Sequence, residues 1–175
     1  MTPFTHVTPE PLDRQFNAAV MTLARATNPL GWRIGQAPKT LLALQRMVAR
    51  DGLITVSGEH SSTSIYGGAG HNSAFPAWNA AVHLALRAPY SLRGKCDVSE
   101  AQQRQLVANF GVSDISRWWC RLVDCEARGQ ALYFEAHGVF PPHQRQFTEA
   151  FLADEARALA MGPGAAWVNT TSMEG

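Results

Sequence analysis

The sequence predicts an α+β fold that is predominantly α-helical, with about six helices packed against one small β-hairpin at about 53–66. Apolar residues recur at helical spacing over most of the chain, and the period changes to two only between Leu53 and Tyr66. The chain has 175 residues, of which 46% are hydrophobic and 17% are charged, which is enough for one domain with its own core. A lone hairpin is marginal in water, so helices must cover one of its faces.

The first half of the chain contains three helical patterns and the hairpin. Helical spacing of apolar residues predicts a first helix over 12–26, followed by turn chemistry at 28–31. A second helix is expected from Pro38 to a stop at Gly52, and a third over 75–87, ended by Pro89. Between the second and third helices, the residue pattern has a period of two in two segments, 53–57 and 63–66, which we predict to be the two strands of the hairpin.

The second half is helical throughout. The box Ser99-Glu100-Ala101-Gln102 predicts the start of a helix that runs to Gly111. Ser113 is placed to cap the longest helix, 113–137, and Gly138 ends it. Pro141-Pro142 opens the last helix, which carries apolar residues to Leu159. No linker divides the chain, so we expect a single globular domain over 1–161 and a loosely ordered C-terminal tail over 162–175.

Composition narrows the function classes. The formal net charge of +1 gives no electrostatic footprint for phosphates, which makes direct contact with nucleic acid unexpected. No apolar run approaches the ~20 residues of a membrane span. The N-terminal residues have no basic and apolar leader pattern, so a cytoplasmic location is expected. Three cysteines without a C-x-x-C pair do not suggest a disulfide framework or a thiolate zinc site.

The longest helix carries an unusual polar stripe. At ~100° per residue, Glu126, Gln130, Tyr133 and His137 fall on the apolar face that begins at Ile115. A carboxylate at such a position needs a donor, a metal or a water-filled pocket, because burying an unpartnered charge is very costly.

Three interpretations of this stripe are open. The first is a pocket in which His83, Glu126 and His137 bind one divalent metal ion or transfer protons. In that case three further polar residues would support the site: Asn79, Gln130 and Tyr133. The second is a buried polar network that fixes helix register, without chemistry and without a cofactor. The third is an interface with a partner.

Three other residues of the same helix are candidates for a partner surface. Trp118 lies at the flank of the apolar face, and Arg121 and Arg128 lie on the opposite, solvated face. Tryptophan and arginine are common interface anchors. The alternative for Trp118 is ordinary core packing.

Three segments between 71 and 147 resemble an uncharacterised family carried by phages, plasmids and related elements. The first is Asn72-x-x-Phe75-x-Ala77-Trp78 followed by His83. The second is Glu126-x-x-Gly129-Gln130-x-x-Tyr133. The third, which is the most specific, is His137-Gly138-x-Phe140-Pro141-x-x-Gln144-x-x-Phe147. The family pattern reads N-x-x-F-x-A-W-H-D-x-x-H, then E-x-x-G-Q-x-x-Y, then H-G-x-F-P-x-x-Q. The resemblance implies a mobile-element origin and no established activity.

The departures from the family pattern bear on function. The first histidine of the pattern is Asn79 here, and the aspartate after it is Ala80. Two histidines four apart on a helix form a sensible metal pair, and this chain keeps only His83. We therefore expect a binding protein that acts by contact with a host protein or complex, for example as an anti-defence inhibitor of the anti-CRISPR kind. The alternative is a metal-dependent hydrolase around His83, Glu126 and His137.

Overall fold

The computed structural model describes residues 10–56, 73–139, 141 and 144–162. Along these residues the chain forms seven helices, counting the continuous helical run over 114–137 once, and a two-stranded sheet. The predicted mostly helical α+β class is therefore confirmed. In chain order the elements are α1 (Glu10–Thr27), β1 (Trp32–Ile34), α2 (Leu41–Asp51), β2 (Ile54–Val56), α3 (Ala74–Leu86), α4 (Leu92–Phe110), α5 (Asp114–Asp124), a π-helical turn (Cys125–Gly129), α6 (Gln130–His137), α7 (Gln144–Ala153) and α8 (Glu155–Ala160).

The sheet differs from the predicted hairpin. β2 is the first of the two predicted strands, but within the described residues it pairs in parallel with β1, with Trp32 opposite Ile54 and Ile34 opposite Val56. Parallel neighbours need a crossover connection, and α2 supplies it. β1 escaped prediction because three residues are too few to show an alternating pattern. The second predicted strand, 63–66, lies outside the described residues.

Several helix ends follow the expected local chemistry. Thr40 caps α2, because its hydroxyl accepts a hydrogen bond from the amide of Ala43 at 3.1 Å. Gly52 ends the same helix in the left-handed region at φ 75°, where glycine carries no steric cost. Ser113 and Ser116 form a reciprocal capping box at the start of α5, as the predicted cap at Ser113 required.

The predicted helix start at Ser99 was wrong. α4 begins seven residues earlier, at Leu92, where the Ser91 hydroxyl accepts from the amide of Gly94 at 3.1 Å. Ser99 is buried inside the helix, and its hydroxyl accepts from the Gln103 amide nitrogen at 2.9 Å. The Ser99 hydroxyl also donates to the carboxylate of Asp124 in α5 at 3.4 Å, and Gln102 is buried, so both residues of the S-x-x-Q pattern pack inside the fold instead of capping a helix.

The last predicted helix is two helices. Asp154, with φ −161°, interrupts it, and its carboxylate accepts from the amides of Ala156 and Arg157 at the start of α8. An aspartate with these bonds is a strong N-cap, so the helical pattern restarts there. The predicted C-terminal tail falls almost entirely on 163–175, outside the described residues.

Three apolar clusters lie among the described helices. The largest lies among α1, α3, α4 and α5 and includes Phe16, Trp78, Leu106, Trp119 and Leu122. A second joins the sheet to α2 and α3 through Leu44, Ile54, Val56 and Ala77. A third joins the π-helical turn and α6 to α7 and α8 through Cys125, Tyr133, Phe147 and Phe151. In the part of the chain that is described, no helix is long and apolar enough to cross a bilayer.

Candidate functional site

The polar stripe is interrupted by the π-helical turn. The amide of Gln130 bonds the carbonyl of Cys125, which is the five-residue spacing of a π-helix. The extra residue rotates the following residues by about 100° relative to a continuous α-helix. The single face predicted across 113–137 is therefore two faces, one on either side of the turn.

Glycine at 129 allows this turn to lie against α7. A Cβ atom at this position would stand 3.1–3.2 Å from the ring of Phe151, tighter than ordinary van der Waals contact. Beyond the turn Tyr133 is buried and Gln130 is half-buried, because α7 and α8 cover this part of the helix. π-helical turns are frequent at functional sites, and this one contains Glu126. The side chain of Glu126 lies outside the described part of the structure.

His83 is fully buried at the C-terminal end of α3. Its Nδ1 lies 2.9 Å from the carbonyl oxygen of Ala88. A carbonyl oxygen only accepts, so Nδ1 carries the proton and Nε2 of the neutral ring presents a lone pair. This Nε2 has no hydrogen-bond partner among the described residues. Burial lowers the pKa of His83 to about 4, so the ring is neutral near pH 7, and the charge of Lys95 acts in the same direction.

His137 has different surroundings. Its Nε2 donates to the carbonyl oxygen of Leu159 in α8 at 2.7 Å, and its ring lies 4.4 Å from that of Tyr133. The hydroxyl of Tyr133 is buried without a partner among the described residues, and burial raises the pKa of this phenol. Phe147 packs edge-on against the same tyrosine at 5.3 Å. His137 thus joins α6 to α8 by a hydrogen bond, beside the aromatic rings of Tyr133 and Phe147.

The described residues do not assemble the predicted metal site. His83 contacts the ring of Tyr90 at 4.4 Å, whereas His137 contacts Tyr133, and the two histidines bond different carbonyls. No three His, Cys, Asp or Glu side chains in the described part lie where they could share an ion. Asn79, one turn before His83 on α3, is half-buried. Because Glu126 is not among the described side chains, the set of His83, Glu126 and His137 stays a prediction.

The three interface candidates of the long helix make contacts within the chain. Trp118 is only 2% exposed and belongs to the largest core cluster, which favours the core-packing alternative. Arg121 donates to the backbone carbonyl of Leu152 in α7. Arg128 pairs with Asp124 at 3.1 Å and with Glu155 at 3.2 Å. Both arginines therefore hold the long helix against α7 and α8.

An apolar surface at the C-terminal end of α4 was not identified from the sequence. Val107, Phe110 and Val112 are 37%, 40% and 66% exposed. Beside them lies a shallow cleft of about 380 Å³, with lining residues that include Arg104, Val107 and Cys120. We call the exposed residues Val107, Phe110 and Val112, together with the residues that line this cleft, the α4-end surface. Helical spacing predicts that Val107 and Phe110 face inward with Leu106, but spacing alone does not show which apolar residues a neighbour covers.

A second overlooked feature is a basic cleft between the sheet and α2. Arg33, Lys39, Arg46 and Arg50 line it. The i,i+4 spacing of Arg46 and Arg50 was visible in the sequence, but the contribution of β1 depends on the unpredicted strand pairing.

No protein-family model, curated protein or solved structure matches the chain. The resemblance to the mobile-element family therefore rests on the sequence segments alone.

Proposed function

We propose that this chain is a mobile-element binding protein that acts by protein–protein contact with a host protein, with anti-defence inhibition as its concrete form. The observation that supports the proposal is the α4-end surface. Three large apolar side chains within six residues stand exposed, and one of them, Val107, lines a cleft; such clusters mark interaction sites more often than scattered single residues do.

The residues of the α4-end surface indicate which side chains a partner would present to it. Phe110 is held edge-on against Trp119 at 5.7 Å, so its ring is fixed by the core while part of it faces solvent. Fixed aromatic rings lose little side-chain entropy on binding. Arg104 lines the cleft and makes no ion pair with a described residue. The partner we propose presents an apolar side chain to the cleft and a carboxylate to Arg104.

Co-purification with matched variants tests this proposal. The chain is captured from lysates of several hosts, in parallel with Val107→Asp/Val112→Asp and with Leu30→Asp. Leu30 is 74% exposed and lies before β1, outside the α4-end surface, so its replacement introduces an aspartate at an exposed apolar position elsewhere. We expect one defined host complex with the wild type and with Leu30→Asp, and at least tenfold less with the double variant. Equal recovery with all three, or no partner at micromolar concentration in several hosts, would overturn the proposal.

A metal-dependent hydrolase is the second candidate, and one observation favours it. Metal-binding histidines commonly donate one ring N–H to a carbonyl while the other nitrogen faces the ion, and His83 has this arrangement. An ion there would supply an activated water. The full burial of His83 counts against a site that must admit substrate. Elemental analysis of untagged, chelator-free protein decides: about one metal per chain, lost in both His83→Ala and Glu126→Ala, would favour the hydrolase.

A further inference from the structure

The basic cleft has an excess of positive charge that the chain does not neutralise. It has a volume of about 680 Å³, opens to solvent, and contains no acidic side chain among its lining residues. Arg33 and Arg50 share one neighbouring carboxylate, Asp51. Lys39 and Arg46 make no ion pair with a described residue. Four cations against one carboxylate leave three uncompensated positive charges, and a concave basic surface concentrates anions.

Two of these cations are held in position. The Nε of Arg33 donates to the Thr55 hydroxyl at 2.9 Å, and its Nη2 donates to Asp51 at 2.8 Å. Arg50 donates two hydrogen bonds to the carboxylate of Asp51, through Nε at 2.8 Å and through Nη2 at 2.9 Å. A guanidinium has five N–H donors, so both arginines keep donors for a ligand. The carboxylate thus orients the two arginines without using all of their capacity.

The backbone beneath the cleft is closely packed. Gly35 continues the strand pairing by donating to the carbonyl of Val56 at 2.9 Å. A Cβ atom at Gly35 would stand 2.9 Å from the Thr55 side chain, so glycine is needed for this approach. The same Thr55 holds Arg33, and its amide donates to the sulfur of Met47 at 3.4 Å. The sheet and α2 therefore form a fixed base for the charged side chains.

The lining indicates the class of ligand. Guanidinium and ammonium groups match phosphate oxygens, and three uncompensated charges suit a polyanion. The volume falls in the range of small-molecule sites. Among the described residues that line the cleft none is aromatic, so it offers no stacking platform for the bases of a nucleic-acid strand. We propose that this cleft binds a small molecule carrying two or more phosphate groups and holds it through those groups.

Titration calorimetry with sodium tripolyphosphate tests this proposal on the full chain. The test variant is Lys39→Gln/Arg46→Gln, which removes the two unpaired cations. The charge-matched control is Arg25→Gln/Arg157→Gln, which removes two exposed arginines outside the cleft. We expect binding by the wild type and the control, with affinity on the order of 100-fold weaker in the test variant, because each of the two lost contacts is a charge-assisted hydrogen bond.

Three outcomes would overturn the proposal. If the wild type does not bind tripolyphosphate at low salt, the cleft is not a polyphosphate site. Equal weakening in the test and control variants would show a general effect of net charge. A thymine dodecamer that binds the cleft more tightly than tripolyphosphate at the same salt would assign it to nucleic acid instead. Circular dichroism of each variant establishes that the comparison is between folded proteins.

Discussion

The buried imidazole of His83 should make the protein less stable in mild acid. In the folded chain the pKa of His83 is about 4, because burial disfavours the charged ring, whereas a histidine in the unfolded chain has a pKa of about 6.5. Between these two values the unfolded state binds a proton that the folded state does not. The free energy of unfolding therefore falls as the pH is lowered through this window and reaches its plateau only above it.

The magnitude follows from the two pKa values. Lowering the pH from about 7.5 to about 5 protonates almost all of the unfolded histidine and little of the folded one, which costs about 2 kcal/mol of stability. Urea denaturation followed by tryptophan fluorescence at both pH values measures the loss. The variant His83→Asn removes the titration while keeping a side-chain donor for the carbonyl of Ala88.

The quantity to compare is the change in the free energy of unfolding between the two pH values, not its value at either pH. We expect the wild type to lose about 2 kcal/mol more than His83→Asn on acidification. His137→Asn is the control, since it removes a half-buried histidine and leaves His83 in place, so the larger loss should persist. If His83→Asn does not fold, His83→Gln replaces it. Equal losses in the wild type and the His83 variant would refute the account of His83 as a neutral buried ring.

Three further substitutions test how the helices are joined and capped. Gly129→Ala should cost about 1–3 kcal/mol in urea denaturation, because the new methyl group meets the Phe151 ring at the π-helical turn; an unchanged midpoint would mean that the turn relaxes freely. Asp154→Ala should cost about 1 kcal/mol by removing the cap of α8, and Asp154→Asn should recover most of it. Ser91→Ala should likewise cost about 1 kcal/mol, whereas Ser91→Thr should not; equal losses would argue against capping at this residue.

Local patterns predicted most of the helices, because their signals lie within a few residues. The helix predicted over 12–26 is observed as Glu10–Thr27, and Gly138 ends α6 at φ 74° as expected. Both predictions depend on helical periodicity and on the left-handed preference of glycine, which tertiary contacts did not override.

The features that escaped prediction all depend on distant residues. The π-helical turn is accommodated by Gly129 lying against Phe151, and no pattern within the helix shows that contact. The parallel pairing of Trp32 with Ile54 spans a crossover helix. Ser99 matched a capping pattern, yet it lies inside α4 because the helix begins at Leu92, after its cap at Ser91.

The candidate site was predictable only as a set of residue types. Helical spacing correctly indicated that Tyr133 is buried, but it could not show that His83 and His137 each bond a different carbonyl. The basic cleft could not be found either, since Arg33 joins Arg46 only through the unpredicted β1. Sites made by several elements require the packing of those elements to be known.

Differential alkylation of the cysteines tests most directly whether a partner covers the α4-end surface. Cys120 lines the cleft of that surface, while Cys96 is also half-buried but lies outside it. With the co-purified partner at saturation, we expect iodoacetamide to modify Cys120 at least several-fold more slowly than in the free chain, and Cys96 at an unchanged rate. An unchanged Cys120 rate in the saturated complex would contradict the proposed docking surface.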